Sequence, residues 1–195
     1  MSMGAYFDEL HARPDPFGYR HSWYEARKRA LLLASLPRVR YRRGWEVGCS
    51  NGVLTRELAT RCERLLATDL SAAALEQARQ STRDLPQVRL QQARHPGQWP
   101  EGHFDLIVCS EMGYYLPAEE LAALREGLHA ALAVDGLLVA CHWRVSFDQA
   151  RSSADAVHAA LGAGLTTVFD YRDDDFLLQG WARAPLSIAA GEGRR

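Results

Sequence analysis

Short apolar runs alternate with segments of helical periodicity along most of the chain. Runs of apolar or alternating residues predict seven strands. The first strand ends before Gly48. The other six cover residues 65–70, 88–92, 104–110, 137–143, 166–171 and 176–183. Apolar residues three or four positions apart predict helices; these cover residues 22–36, a run that reaches Cys62, and residues 72–81, 119–133 and 154–161. Because strands and helices alternate and two strands close the series, the pattern predicts a three-layer α/β/α sandwich. Its seven-stranded sheet should be mostly parallel and end in an antiparallel hairpin.

The 195 residues are predicted to form a single domain, since no repeat or linker divides the chain. Within it, residues 1–37 should form an N-terminal lid and helix, and residues 38–185 the core. Residues 186–195 should form a flexible tail.

The N-terminal segment combines a helix signal with many aromatic residues. Ser22 and Glu25 have the form of a capping box, which would begin a helix, and Pro37 would end it. A helix that merely closes the sheet would account for residues 22–36. The aromatic residues before Ser22 favour a lid over a bound ligand.

Composition and charge narrow the classes of partner. Apolar residues make up 47% of the chain, charged residues 24%, and the formal net charge is -1. These values are typical of a soluble globular protein and indicate no nucleic-acid partner. No apolar run is long enough to span a bilayer, and no signal-peptide pattern is present, so we expect a cytoplasmic protein. Because C-x-x-C spacing is missing, we expect neither a metal site nor a disulfide from the four cysteines, which are Cys49, Cys62 (expected on a helix), Cys109 and Cys141.

A glycine-containing turn follows the first strand and carries the clearest binding signal. Gly48 and Gly52 fit a strand-to-helix turn that a ligand can approach closely. Glu46 lies inside the apolar strand, where a charge needs a partner. Asp69 ends the next strand, at the position that binds ribose hydroxyls in nucleoside-binding folds, although alone it could cap the following helix. Ser50 stands where a dinucleotide fingerprint has its middle glycine, which disfavours a nicotinamide-dependent oxidoreductase.

A second group of polar residues lies at the ends of later strands. Ser110 and Glu111 end the fourth strand, where open α/β sheets present side chains to ligands. Glu111 and Tyr114 could bind a cationic or sugar-like acceptor. His142 ends the fifth strand and is either a general base or a satisfied core residue.

Taken together, these motifs resemble those of a known family. The turn Glu46-x-Gly48-x-x-x-Gly52 with Asp69 resembles the first motif of the Rossmann-like class I S-adenosylmethionine methyltransferases. The chain further resembles the NodS family, N-methyltransferases that act on the free amine of a deacetylated chitooligosaccharide during Nod-factor synthesis. The more particular landmarks of that resemblance are Asp15-Pro16-Phe17, Tyr24-Glu25-x-x-Lys28 and Glu111-x-x-Tyr114-Tyr115-Leu116.

The resemblance implies a cofactor and a set of site residues. The cofactor would be S-adenosyl-L-methionine, with S-adenosyl-L-homocysteine as product. Phe17 would cover the cofactor, Lys28 would reach its carboxylate, and Glu46 would lie near its amino group. The implied cofactor-binding set is Phe17, Lys28, Glu46, Gly48, Cys49, Gly52, Asp69, Leu70, Arg94 and Ser110, and the candidate catalytic residues are Glu111, Tyr114 and His142.

The chain also departs from the family pattern. Phe17 and Lys28 stand where relatives commonly have Trp and Arg. Arg94 stands where many relatives have an Asp for the adenine amino group, and an arginine cannot accept that hydrogen bond. Adenine would then be recognised by backbone groups, by the side chain of a Gln or by stacking.

The predicted function is methylation of an amino group on a small molecule or saccharide, as in oligosaccharide biosynthesis. O- or C-methylation of another metabolite, or a non-catalytic cofactor-binding subunit, are the alternatives. The expected assembly is a monomer or weak dimer.

Overall fold

The computed structural model describes residues 2–184 and 187–194, which contain one seven-stranded sheet flanked by helices. The strands are β1 (Tyr41–Val47), β2 (Cys62–Asp69), β3 (Val88–Gln92), β4 (Phe104–Ser110), β5 (Leu132–Trp143), β6 (Thr166–Arg172) and β7 (Phe176–Ala182). The helices are α1 (Met3–Leu10), α2 (Trp23–Ser35), α3 (Val53–Ala59), α4 (Ala72–Ser81), α5 (Ala118–Ala131), α6 (Ala154–Gly162) and the short α7 (Ile188–Gly191). None of the helices in this part of the chain has the length and apolar character that crossing a membrane requires.

The strand order is β3-β2-β1-β4-β5-β7-β6. Strands β1 to β5 pair in parallel, and β7 runs antiparallel between β5 and β6. The predicted fold class is confirmed. The order reverses between β1 and β4, so their carboxyl ends lie side by side, and a crevice for a ligand is expected at such a point.

Alternating residues of β5 build the cores on the two faces of the sheet. Leu138 and Ala140 pack in a cluster with Leu124 of α5 and Val157 of α6. Their neighbours Leu137, Val139 and Cys141 pack in a second cluster, which contains Leu32 of α2 and Leu58 of α3. Because successive side chains of a strand point to opposite faces, this division produces the three-layer arrangement.

Several element boundaries differ from the predicted ones. Helix α5 ends at Ala131, and β5 begins at Leu132 although Asp135-Gly136 has turn chemistry. The pairing of β5 with β4 shifts register between Phe104 and Leu106, which lets the turn-like pair remain inside the strand. Cys62 begins β2, so its predicted helical position was wrong. Its fully buried thiol faces Gly44 on β1, where a Cβ would approach the sulfur to 2.6 Å.

The two ends of the chain add elements that the pattern did not predict. Helix α1 lies within the expected lid, and α7 lies within the segment expected to be flexible. Leu186 and Arg195 of that segment lie outside the described residues. The flexibility of 186–195 stays a prediction.

Candidate active site

The turn between β1 and α3 has the backbone geometry that its glycines suggested. Gly48 has φ +78° and Gly52 has φ +76°, in the left-handed region that glycine occupies without strain. A Cβ on Gly52 would lie 2.8 Å from Cα of Ala78, so glycine there also lets α3 approach α4. The amides of Gly48 and Cys49 both donate to the carbonyl of Thr68, at 2.8 and 2.9 Å. These bonds fix the turn to the end of β2.

Asp69 joins the two loops that follow β1 and β2. Its carboxylate accepts hydrogen bonds from the amide of Ser50 (2.8 Å, to Oδ2) and from the amide of Ser71 (2.9 Å, to Oδ1). Burial raises the pKa of Asp69, and the two amides act in the opposite direction. Asp69 therefore holds both loops in place, and a carboxylate has lone-pair directions left for a further donor.

Glu46 is a buried acid with an unused oxygen. It is 2% exposed on β1, and its Oε2 has no hydrogen-bond partner among the described residues. Burial, with Asp69 nearby, raises the pKa of Glu46 to about 8. An unpaired polar atom in this position costs free energy. A cationic donor that reached this oxygen would remove the cost.

The N-terminal segment contacts both of these loops. His11 Nε2 lies 2.8 Å from Ser50 Oγ, and Ser71 Oγ donates to Asp8 at 2.6 Å. Asn51 Nδ2 donates to Asp15 at 3.0 Å. The ring of Phe17 lies near His11 and Tyr19, at centroid distances of 5.9 and 5.4 Å. The segment thus closes over the glycine turn.

A buried ion-pair triad links α2 to the end of β4. Lys28 Nζ donates to Glu25 at 2.9 Å and to Glu111 at 2.6 Å. Burial works against the ammonium, but Glu111 and Glu25 outweigh it, and the pKa of Lys28 lies above its usual value. The contact with a cofactor carboxylate implied for Lys28 stays a prediction. In the structure its ammonium orders Glu111.

Glu111 accepts hydrogen bonds from three elements. Besides Lys28 on α2, Tyr114 Oη donates to its Oε2 at 2.5 Å, and the amide of Trp143 at the end of β5 donates at 3.1 Å. Its φ of +57° is unusual for a residue with a side chain and marks a specialised turn after Ser110. The structure thus brings the candidate catalytic residues together: Tyr114 donates to Glu111, and its ring lies edge-on to that of His142 with a centroid distance of 5.2 Å.

His142, the third candidate, is fully buried and lies in a chain of hydrogen bonds. Its Nε2 accepts from the amide of Gly113 (3.1 Å), and its Nδ1 lies 3.1 Å from Nε2 of His158. His158 Nδ1 in turn lies 2.9 Å from Gln179 Oε1, and Gln179 donates to Asp170 at 2.7 Å. Burial lowers the pKa of both histidines, that of His158 to about 4. Both nitrogens of His142 are engaged and the Nε2 contact supports the 3₁₀ turn Gly113–Tyr115, which agrees with the second of the two roles considered for it, a satisfied core residue.

Arg94, for which the resemblance implies a cofactor contact, lies in the loop after β3. Arg94 is exposed, and its guanidinium lies 3.3 Å from Glu120 on α5. The next residue, His95, is buried, with Nε2 3.0 Å from Thr68 Oγ1 and its ring beside Trp99. Among the described residues, the hydrogen-bond partners of Arg94 do not include any residue of the glycine turn.

Two groups at the site escaped the sequence-based prediction. Glu25 was assigned to the helix cap and to a landmark of the family resemblance but to no site role, although its spacing of three from Lys28 is a signal for an ion pair. Asp15 was named as such a landmark without a role, and the contact of His11 with the turn had no sequence signal beyond the general lid.

Comparison with known proteins finds one matching family and several similar proteins. The family described as "Methyltransferase domain" matches residues 45–136. A crystal structure of a protein from Pseudomonas syringae, assigned as a methyltransferase, is 49% identical to this chain. It aligns with 83% of this chain and 100% of its own, at a TM-score of 0.75. The N-methyltransferase NodS from Bradyrhizobium japonicum WM9, in complex with S-adenosyl-L-homocysteine, is 25% identical. It aligns over 91% of this chain and 96% of its own, at a TM-score of 0.84.

The chain belongs to the methyltransferases, and it is similar to the NodS proteins among them. A curated relative, Nodulation protein S of Sinorhizobium fredii, is 31% identical over 132 residues, which are 66% of this chain. The chain spans 60% of the length of that relative.

The residues at the ends of β1 and β2 fit the cofactor of this family. S-adenosylmethionine carries an ammonium group, ribose hydroxyls and a sulfonium. The unused Oε2 of Glu46 suits the ammonium, the carboxylate of Asp69 suits the hydroxyls, and the backbone at Gly48 leaves room for close approach.

Proposed function

We propose that this protein transfers the methyl group of S-adenosylmethionine to an amino group of a small molecule or saccharide. The observation that carries the proposal is the position of Glu111. Its carboxylate is held by Lys28, Tyr114 and the amide of Trp143, at the end of the strand next to β1. The relative in Bradyrhizobium japonicum is itself described as an N-methyltransferase, which supports an amine acceptor.

On this proposal the cofactor lies across the carboxyl ends of β1, β2 and β4. The backbone at Gly48, Cys49 and Gly52 faces it, and Asp69, with Leu70 beside it, binds the ribose. Glu46 accepts from the amino group. Phe17 covers the cofactor, and Ser110 lines it from β4. Arg94, which pairs with Glu120, has no part in this arrangement.

When bound, the cofactor supplies an activated methyl group, so the protein must chiefly position the acceptor and exclude water. Glu111 already accepts three hydrogen bonds, and its carboxylate retains a direction for one acceptor N–H. That bond would turn the nitrogen toward the cofactor. The buried phenol of Tyr114 keeps the carboxylate from rotating.

The cofactor assignment is tested by replacing Asp69 with alanine. We expect the affinity for S-adenosylhomocysteine to fall by roughly 100-fold, because a charged hydrogen-bonding group is lost and two loop amides lose their acceptor. Isothermal titration calorimetry measures the change. Asp84→Ala, which removes an exposed aspartate bound only to Arg56 among the described ion pairs, should leave the affinity unchanged. Equal affinity in Asp69→Ala and wild type would contradict the assignment.

The affinity for S-adenosylhomocysteine should also depend on pH through Glu46. Because the pKa of Glu46 is raised to about 8, its carboxyl group holds a proton at neutral pH when no ligand is bound. A ligand ammonium favours the carboxylate, so binding should release this proton, and affinity should increase from pH 6 to pH 8 by at most about tenfold per pH unit. Titrations in two buffers of different ionisation enthalpy would detect the released proton. In Glu46→Gln the pH dependence and the proton release should both disappear; a pH-independent wild type would refute this role.

Methyl transfer itself is tested with labelled cofactor and a panel of amines, amino sugars and matched alcohols. Transfer to amines, with none to the alcohols, is the expected result. Transfer to hydroxyl groups alone would favour an O-methyltransferase, and tight cofactor binding with no transfer to any acceptor would favour a non-catalytic subunit.

A further inference from the structure

A cavity of about 260 Å³ lies between the 3₁₀ turn Gly113–Tyr115 and the loop from β5 to α6. Its wall includes Tyr114 and Trp143, the two residues that also donate to Oε2 of Glu111. The cavity and the proposed site of the acceptor amine therefore share Tyr114 and Trp143 as neighbours.

Two arginines line this cavity, and neither is neutralised. Arg144 and Arg151 form no ion pair with any residue of the ranges 2–184 and 187–194. The guanidinium of Arg144 is anchored by donation to the carbonyl of Asp173, and its buried Nε has no partner in this part of the chain. Arg151 is exposed, while its amide donates to the carbonyl of Tyr114 at 2.7 Å. Both guanidinium groups thus keep donors for a ligand.

The remaining wall adds positive potential and no carboxylate. The nine-residue helix α6 begins at the cavity, with Ser153 as its cap and Ala154 in the lining. Its first amides carry the positive end of the helix dipole. Asp155 in its first turn pairs with Arg172 at 2.6 Å. Phe147 stacks on Trp143 with a centroid distance of 6.1 Å and completes an apolar side to the cavity.

The geometry points to an acceptor that carries an anionic group as well as the amine. Its phosphate, sulfate or carboxylate is bound by Arg144 and Arg151, while its amine reaches Glu111; this inference rests on the proposed N-methyltransferase function. Guanidinium groups bind such oxyanions with paired hydrogen bonds.

Opposite charges at the two ends of the acceptor site also determine orientation. A molecule turned around would place its anion against Glu111 and its ammonium against two arginines. Such like-charge contacts disfavour the reversed pose. A neutral amine lacks this discrimination and binds more weakly.

The test compares D-glucosamine with D-glucosamine 6-phosphate and D-glucosamine 6-sulfate, and 3-aminopropanol with β-alanine, in the wild-type enzyme with labelled cofactor. We expect at least one anionic amine to exceed its neutral partner by roughly tenfold or more in kcat/KM, mainly through KM. Comparison of the phosphate, sulfate and carboxylate substrates shows which anion is preferred. In Arg144→Gln/Arg151→Gln the preference should vanish, while Arg89→Gln, an exposed arginine on β3, should retain it.

A binding measurement separates failure of this inference from failure of the proposed function. Inorganic phosphate and sulfate are titrated into the complex with S-adenosylhomocysteine. Binding to wild type that is lost in the double variant supports the anion site even where no amine reacts. No anion binding to wild type, or equal kcat/KM for every matched pair that reacts, overturns it.

Discussion

Replacing Lys28 with methionine is expected to lower the free energy of unfolding by about 3–5 kcal/mol. The ammonium lies between Glu25 and Glu111, at 2.9 and 2.6 Å, and is nearly buried. Methionine keeps much of the packing but leaves two carboxylates close together without their shared partner. Chemical denaturation of the purified protein measures the loss.

The pH dependence of that loss separates the charge effect from a packing defect. In Lys28→Met the pKa of Glu25, already raised by burial, loses the opposing effect of the ammonium. A carboxyl group whose pKa is raised in the folded state is easier to bury when protonated, so the deficit should shrink as the pH falls toward 4.5. Arg27→Met, which removes an ion pair with Asp173 on the outer side of the same helix, should change stability far less. A deficit equal in both variants, or one independent of pH, would contradict the role given to Lys28.

Replacing Glu111 with glutamine is expected to lower kcat by roughly 100-fold to 1,000-fold, with little change in the affinity for S-adenosylhomocysteine. Glutamine preserves the shape of the side chain and removes its charge. Lys28 keeps its ion pair with Glu25 in this variant. The decrease in kcat should therefore come from poorer orientation of the acceptor and not from unfolding. Single-turnover kinetics and calorimetry measure the two quantities separately.

Tyr114→Phe is the matched control for that variant. It removes the hydroxyl that donates to Glu111 and leaves the carboxylate in place, so a loss of only about tenfold is expected. If Glu111→Gln keeps kcat within threefold of wild type, the acceptor is positioned by other groups and the proposed acceptor site is wrong.

The sequence predicted the elements best where turn chemistry bounds a short apolar run. Ser71 caps the start of α4, and the loop before Phe104 separates β3 from β4. The bounds of these three elements agree with prediction. The start of β5 was predicted wrongly because Asp135-Gly136 normally ends a helix or strand. In the structure, a register shift against β4 keeps this pair within the strand. That shift depends on pairing between distant residues, which local pattern does not encode.

At the site, Glu111 could be predicted because open α/β sheets present side chains to ligands at the ends of their strands. The residues that hold its carboxylate could not be predicted in this way. Lys28 is 83 residues away and reaches Glu111 only because α2 packs at the end of the sheet. For His142 the position at a strand end left two roles open. A strand-end histidine looks available in sequence, while its partners Gly113 and His158 appear only once β5, α6 and the 3₁₀ turn are assembled.

The buried histidine pair links the antiparallel hairpin to the 3₁₀ turn that carries Tyr114. The amide of Gly113 can only donate, so Nε2 of His142 carries no proton, and Nδ1 must donate to His158. His158 must then donate to Gln179, whose amide nitrogen points to Asp170. The Gly113 amide fixes the direction of every bond in this chain, and Asp170 on the outermost strand is its last acceptor. A substitution of Asp170 would remove that acceptor without reversing any bond, and we expect it to loosen the loop that carries Tyr114.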